Sequence, residues 1–226
     1  MGSKSSAGAA RVAGWDLERE AWAAGAQQVA GVDEVGRGPL FGPVVAAAVM
    51  LPRDCAGDVG VLVGLRDSKQ LREAERERLA AEVCARALAW AVAEVDAATI
   101  DRINIREATR LAMWRAVEGL AAQNRRAADF VLVDGNCTVP ELRCGQRTVV
   151  GGDALCASIA AASVVAKVYR DAKMRALDAE FPGYGLARHK GYGTPEHLEA
   201  LERLGATQEH RRSFAPVRRV LARREK

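Results

Sequence analysis

A chain of 226 residues with 49% apolar and 27% charged side chains has the balance of one globular domain that buries its own core. No apolar run approaches the roughly 20 residues that span a bilayer. The small, polar opening MGSKSSAGAARVAG lacks the apolar stretch of a secretory signal, so membrane and exported classes are set aside and a cytoplasmic place is expected. The net charge of +4 is compatible with a polyanionic partner without requiring one. Five cysteines, odd in number and never spaced Cys-x-x-Cys, read as reduced thiols, with Cys137 and Cys144 spaced to be neighbours across a hairpin.

Residues 1–13, small and unpatterned, are expected to be a disordered tail, and 14–226 a single domain. WDLEREAWAAG predicts a short helix ending at Gly25. QQVAGVDEVG and GPVVAAAVML are β-rich runs joined by the glycine-rich GRGPLFG, a hairpin-like pair. Residues 71–86 have helical spacing, and LAWAVAEVD alternates as a strand does. Asp96 predicts the N-cap of a short helix and Asn104 that of a long one. DFVLVDGN reads as a strand buried on both faces and RTVVGGD as a second short strand. A long alanine-rich helix from Ala154 to Phe181, broken once, follows, then a Gly/Tyr/His-rich loop and helices near 195–205 and 216–224. This order predicts an α/β fold with a mixed sheet, an antiparallel meander first and parallel crossovers later.

The acids carry the chemistry. Asp33 and Glu34 interrupt an apolar strand, Asp134 closes another, and Asp153 follows a third at the edge of a helix. Carboxylates are rarely buried unless paired or bound to metal. Strand ends in an α/β sheet converge on one rim, where such folds hold ligands. Four acids without histidine suit Mg²⁺ or Mn²⁺ rather than zinc, and suit two-metal phosphoryl transfer. Taken singly, Asp153 in GGDA fits a helix cap better than a ligand. Asp134 in DGN is as good a turn former as a ligand. Strand alternation sends Asp33 and Glu34 to opposite faces, so both serve one site only at a bulge or a strand end near Val35-Gly36.

GVDEVGRGPLFGPVVAAAV (31–49) resembles the signature of the ribonuclease HII family. DSKQL (67–71), VDGN (133–136), GGD (151–153), ASIAAASVVAKVYRD (157–171), HKGYGTPEHLEAL (189–201) and HRRSFAPV (210–217) follow in family order. The resemblance implies a ribonuclease-H-like mixed five-stranded sheet flanked by helices, with a helical C-terminal region. It implies a metal site of Asp33, Glu34, Asp134 and Asp153, filled by Mg²⁺ or Mn²⁺. It implies that Gly36, Arg37 and Gly38 read a ribonucleotide 2′-OH, and that Tyr192 stacks on the next deoxyribose. Ser68 and Lys69, and with them Arg188, His189 and Lys190, resemble positions that meet backbone phosphates. Asp171, 18 residues along the helix from Asp153, is read as structural. The family often has lysine where Gly151 stands, a departure that bears on one phosphate contact and not on the metal site.

The expected activity is endonucleolytic hydrolysis of RNA in RNA–DNA hybrids, with nicking 5′ of ribonucleotides embedded in duplex DNA, by a monomer. The rivals are another metal nuclease of the same fold and a non-catalytic nucleic-acid binder. Four intact acids speak against the binder, and the GRG loop with Tyr192 against the other nuclease. The short lead before residue 28 is expected to leave no room for the extra domain of the sister ribonuclease HIII. Seven basic residues against one acid from Arg211 onward form either a solvated face or a phosphate-tracking patch.

Overall fold

The computed structural model describes residues 13–56, 72–123 and 127–224. Up to residue 12 the expected N-terminal tail lies outside them. Its last residue, Ala13, is buried, and Gly14 makes a β-bridge with Cys156.

Five strands form one sheet in the order β3-β2-β1-β4-β5. Strands β1 (Val29–Val35), β2 (Val44–Met50) and β3 (Ala89–Val95) make an antiparallel meander. Strands β4 (Phe130–Asp134) and β5 (Gly145–Val149) run parallel to β1. The mixed sheet is the one expected from the order of the runs. The loop 36–43 turns β1 back into β2 as an antiparallel neighbour, and the helical segment 97–123 carries the chain from the meander across to β4, which therefore pairs with β1 in parallel.

Helices cover both faces. On one, α3 (Ala97–Gln123) packs on Ala30 and Val32 of β1, Val44, Ala46 and Ala48 of β2, and Val131 and Val133 of β4. The other face, alternating with the first, meets α5 (Ala157–Glu180), α2 (Glu73–Arg86) and α1 (Asp16–Ala23) through Ala47, Val49 and Leu132. Gly31 sits where α5 comes closest: a Cβ there would lie 2.2 Å from the Ser158 backbone. The alanine-rich stretch 157–166 and Gly31 therefore let helix and strand approach without a cavity.

Asp96 and Asn104 cap as expected. The Asp96 carboxylate accepts from the Thr99 N–H at 2.7 Å. Asn104, at φ 68°, accepts from Arg106 and Glu107 and breaks α3 into two helices in tandem. The break expected in the alanine-rich helix falls at Cys156, between α4 (Gly152–Leu155) and α5.

α6 (Leu186–His189), α7 (Pro195–Leu204) and α8 (Ala215–Arg224) complete the chain. They close two small cores around Leu40 and Phe41, which the β1–β2 loop sends down from the sheet. Asp101 accepts from the Arg212 and Ser213 amides, both at 2.8 Å, and ties the C-terminal helices to α3. All five cysteines are free, Cys137 and Cys144 included. No described helix is long and apolar enough to cross a membrane.

Candidate metal centre

β1 carries no bulge: its register with β2 runs unbroken from Ala30↔Met50 to Val35↔Val45. The strand end does the work instead. β1 stops at Val35, and its pairing with β4 stops at Val32↔Val133. Asp33 turns toward α5, where Ser163 hydrogen-bonds its carboxylate. Glu34 turns toward α3 and lines a cavity with Arg106 and Arg110. Beyond Val32 the β4 side of β1 is open, so acids from both faces reach the same edge beside Asp134. One oxygen from each of Asp33, Glu34 and Asp134 lies within 4.8 Å of the other two.

Asp134 accepts the Gly152 N–H at 2.7 Å, which locks the end of β4 to the start of α4. Asp153 stands in the first turn of α4, and the cap position belongs to Gly151 at φ 67°. The cap reading of Asp153 is thereby corrected. Its side chain lines the same cavity as Asp33, Glu34, Asp134, Ser163, Lys167 and Tyr192, outside the tight group of three.

Burial pushes the Asp33 carboxyl well above its ordinary value, and the charges of Glu34 and Asp134 push it further; Ser163 and the Glu34 N–H pull back. Burial also raises Glu34, against the pull of Arg37 at 3.3 Å. Three carboxylates crowd into one group within 4.8 Å, and the donors they offer are all oxygen. That set fits a hard divalent cation and does not fit zinc.

Gly36, Arg37 and Gly38 leave β1 directly above the acids, with Arg37 and Gly38 exposed. Tyr192, also exposed, faces Gly38: a Cβ on that glycine would lie 3.5 Å from the ring. Ser68 and Lys69 lie outside the described residues. Arg188 pairs with Glu196, and His189 turns inward, its Nε2 donating to the Tyr184 carbonyl at 2.7 Å. Asp171 is structural as expected, buried between Lys167 at 2.7 Å and Arg76 at 3.6 Å.

Sequence reasoning passed over Ser163 and Lys167. Their signal was present: they are polar residues four apart in the otherwise apolar stretch 159–168, hence on one helix face. It also passed over Arg170 and Arg211, both fully buried beneath the GRG loop. Charged residues inside matched motifs read as surface until burial is known.

Oxygen donors gathered at the carboxyl edge of a mixed sheet, beside an exposed glycine-rich loop, define a metal-dependent phosphodiester hydrolase. Residues 30–217 match the family model for Ribonuclease HII. The chain is similar to Ribonuclease HII of Geobacillus kaustophilus (strain HTA426), 54% identical over 207 residues, covering 90% of this chain and 74% of that one. Among solved structures, ribonuclease H2 from Pyrococcus horikoshii OT3 superposes with TM-score 0.75 at 26% identity, over 88% of this chain and 100% of that one. Bst-RNase HIII in complex with Mn²⁺ shares the fold at TM-score 0.67 and 23% identity, over 86% of this chain and 69% of that one. The chain belongs to the ribonuclease HII family, and it is a metal-dependent endonuclease of the ribonuclease H kind.

Proposed function

We propose that the enzyme nicks duplex DNA on the 5′ side of an embedded ribonucleotide, and cuts the RNA strand of hybrids likewise, leaving 3′-OH and 5′-phosphate ends. The observation that carries this reading is the meeting of Asp33, Glu34 and Asp134 within 4.8 Å beneath the exposed Arg37–Gly38 backbone. Asp33, Glu34, Asp134 and Asp153 are assigned as ligands of Mg²⁺ or Mn²⁺. When bound, these ions supply the positive charge that eases attack and departure at an anionic phosphodiester. Bst-RNase HIII, which shares the fold, has been solved in complex with Mn²⁺.

Ser163 and the Gly152 N–H orient Asp33 and Asp134, so the two acids need little rearrangement when a cation enters. Gly36, Arg37 and Gly38 bring main chain against the minor groove, where the 2′-OH separates RNA from DNA. Tyr192 stacks on the deoxyribose that follows. Ser68 and Lys69 are assigned to backbone phosphates by resemblance. Residues 14–226 act as one catalytic unit and as a monomer, and the free cysteines accord with a reducing cytoplasm.

The test is a duplex carrying one ribonucleotide, with Mg²⁺ or Mn²⁺. Cleavage is expected only at the ribonucleotide, and Asp33→Asn or Asp134→Asn should slow it about 100-fold or more. Equal cutting of all-DNA duplex would remove the substrate assignment. Undiminished cutting by Asp134→Asn would remove the site.

A further inference from the structure

The loop above the acids is held from below by two arginines that the reaction itself does not use. Arg211 is fully buried and donates Nη2 to the Gly36 carbonyl at 2.6 Å, Nη1 to the Arg37 carbonyl at 2.8 Å and Nε to the Gly42 carbonyl at 3.0 Å. Arg170, equally buried, donates to the carbonyls of Phe41 at 3.4 Å, Pro43 at 3.3 Å and Lys190 at 3.0 Å. Neither makes an ion pair with a described carboxylate within 4.0 Å. The carbonyl dipoles are their counter-charge. Burying a guanidinium is costly unless it is hydrogen-bonded, and a lysine, a point charge, could not serve three carbonyls in one plane.

Peptide geometry turns this clamp into a statement about recognition. The described peptide bonds are all trans, so a carbonyl and the N–H that follows it point in opposite directions. With the Gly36 and Arg37 carbonyls drawn inward to Arg211, the N–H groups of Arg37 and Gly38 point outward. Both residues are exposed, and no described residue accepts from either amide. Two outward donors sit beside Tyr192 and over the carboxylates.

The clamp also joins the two recognition elements. Arg170 bonds both the loop and Lys190, two residues before Tyr192. Leu40 N–H donates to Gly191 at 2.8 Å, and Arg211 N–H to Leu40 at 2.9 Å. Asp101, by fixing the Arg212 and Ser213 amides, holds Arg211 at its post. Burial, and then the neighbouring Arg170, push the Arg211 guanidinium down to about 9, so it remains cationic at neutral pH.

We infer that Arg211 and Arg170 are positioning residues for ribose recognition: they orient the Arg37 and Gly38 amides outward as a paired donor for the 2′-OH and set that pair in register with Tyr192. The inference rests on the proposed ribonucleotide substrate and extends it to residues that touch no substrate.

Arg211→Gln and Arg211→Lys test it in the whole chain, with two readouts. The first is Kd for a one-ribonucleotide duplex against the matched all-DNA duplex, in an Asp134→Asn background that prevents cutting. The second is Mn²⁺ affinity by calorimetry in the otherwise wild-type protein. Arg211→Gln should bring the two duplex affinities together and lower kcat/KM on the ribonucleotide substrate about 100-fold, with Mn²⁺ affinity unchanged. Arg211→Lys should restore only part of the preference.

Preference retained in Arg211→Gln, or Mn²⁺ affinity lost in step with activity, overturns the inference. Should Arg211→Gln fail to fold, amide resonances in the Asp134→Asn protein decide. Arg37 and Gly38 N–H must shift with the ribonucleotide duplex and not with the all-DNA duplex. An unshifted pair overturns the inference. A protein with arginine at 211 that binds both duplexes equally overturns the proposed function as well, which keeps the two failures apart.

Discussion

Two glycines two residues apart face opposite demands. Gly36 stands at φ 87°, and a Cβ there would fall 2.1 Å from Arg170 Nε. Gly38 has room, with its nearest neighbour the Tyr192 ring at 3.5 Å. Gly36→Ala should therefore cost about 2 kcal/mol or more in denaturant unfolding, from a strained backbone and a displaced guanidinium. Gly38→Ala should leave stability within about 0.5 kcal/mol, as surface changes do, yet cut ribonucleotide cleavage about tenfold, because its methyl occupies the groove beside Tyr192. A Gly38→Ala enzyme of full activity would show that the groove there is not used. At this scale the sequence exposed the candidate ligands by chemical type, because four acids near strand ends are conspicuous. It did not expose Ser163, Lys167, Arg170 or Arg211. A serine or arginine in a helix has many uses, and only burial distinguishes them.

Among elements, α2 is fastened to α5 by charge. Asp171, 4% exposed, meets Lys167 at 2.7 Å and Arg76 at 3.6 Å, whose side chains are 20% and 11% exposed. Removing one partner of a buried cluster strands the others. Asp171→Ala should destabilise by about 2–3 kcal/mol, less than for a fully dry pair because both cations keep some water. Its melting temperature should fall by about 2–4 °C per kcal/mol. An unchanged midpoint would show that helix packing alone holds α2. The elements were largely legible: the helices of eight residues or more and four of the five strands among the described residues lie where periodicity, caps and glycine breaks put them, while β5 is Gly145–Val149 rather than a run starting at Arg147, and Gly152 already belongs to α4. The break at Asn104 was legible from its cap, whereas the one expected in the alanine-rich helix had no position until the structure put it at Cys156. The geometry at the end of β1 was not. Alternation posed the conflict between Asp33 and Glu34, and the early end of β1–β4 pairing at Val32↔Val133 resolved it, a fact about a strand far along the chain.

Over the whole molecule, the three histidines gather in one core beneath the loop. His189 and His197 stack at 4.6 Å, and His210 lies edge-on to Phe41 at 4.7 Å. The Thr207 N–H donates to His210 Nδ1 at 3.0 Å, which is the neutral ring's pattern. Burial first, then His197, push His210 down to about 3, and burial lowers His197 too. Histidine in an unfolded chain titrates near 6.5. Between about 3 and 6.5 the unfolded chain therefore holds protons that the folded one refuses. Stability is full above 6.5 and falls as pH drops through that window, by up to about 1.4 kcal/mol per pH unit for His210. Urea unfolding at pH 7 and pH 5 checks this, and His210→Gln should flatten the difference. The same slope in that variant would assign the effect to other groups.

The linear order of residues determined the alternation of runs, the caps, and the kinds of atom offered to a cation, because periodicity and ligand chemistry are local properties. Tertiary structure alone decided which acids meet, that Asp153 stands at the rim, and that Arg211 faces Gly36 across 175 positions of chain. Those outcomes depend on where distant segments pack, and a guanidinium bound for solvent is spelled the same way as one bound for a carbonyl in the core.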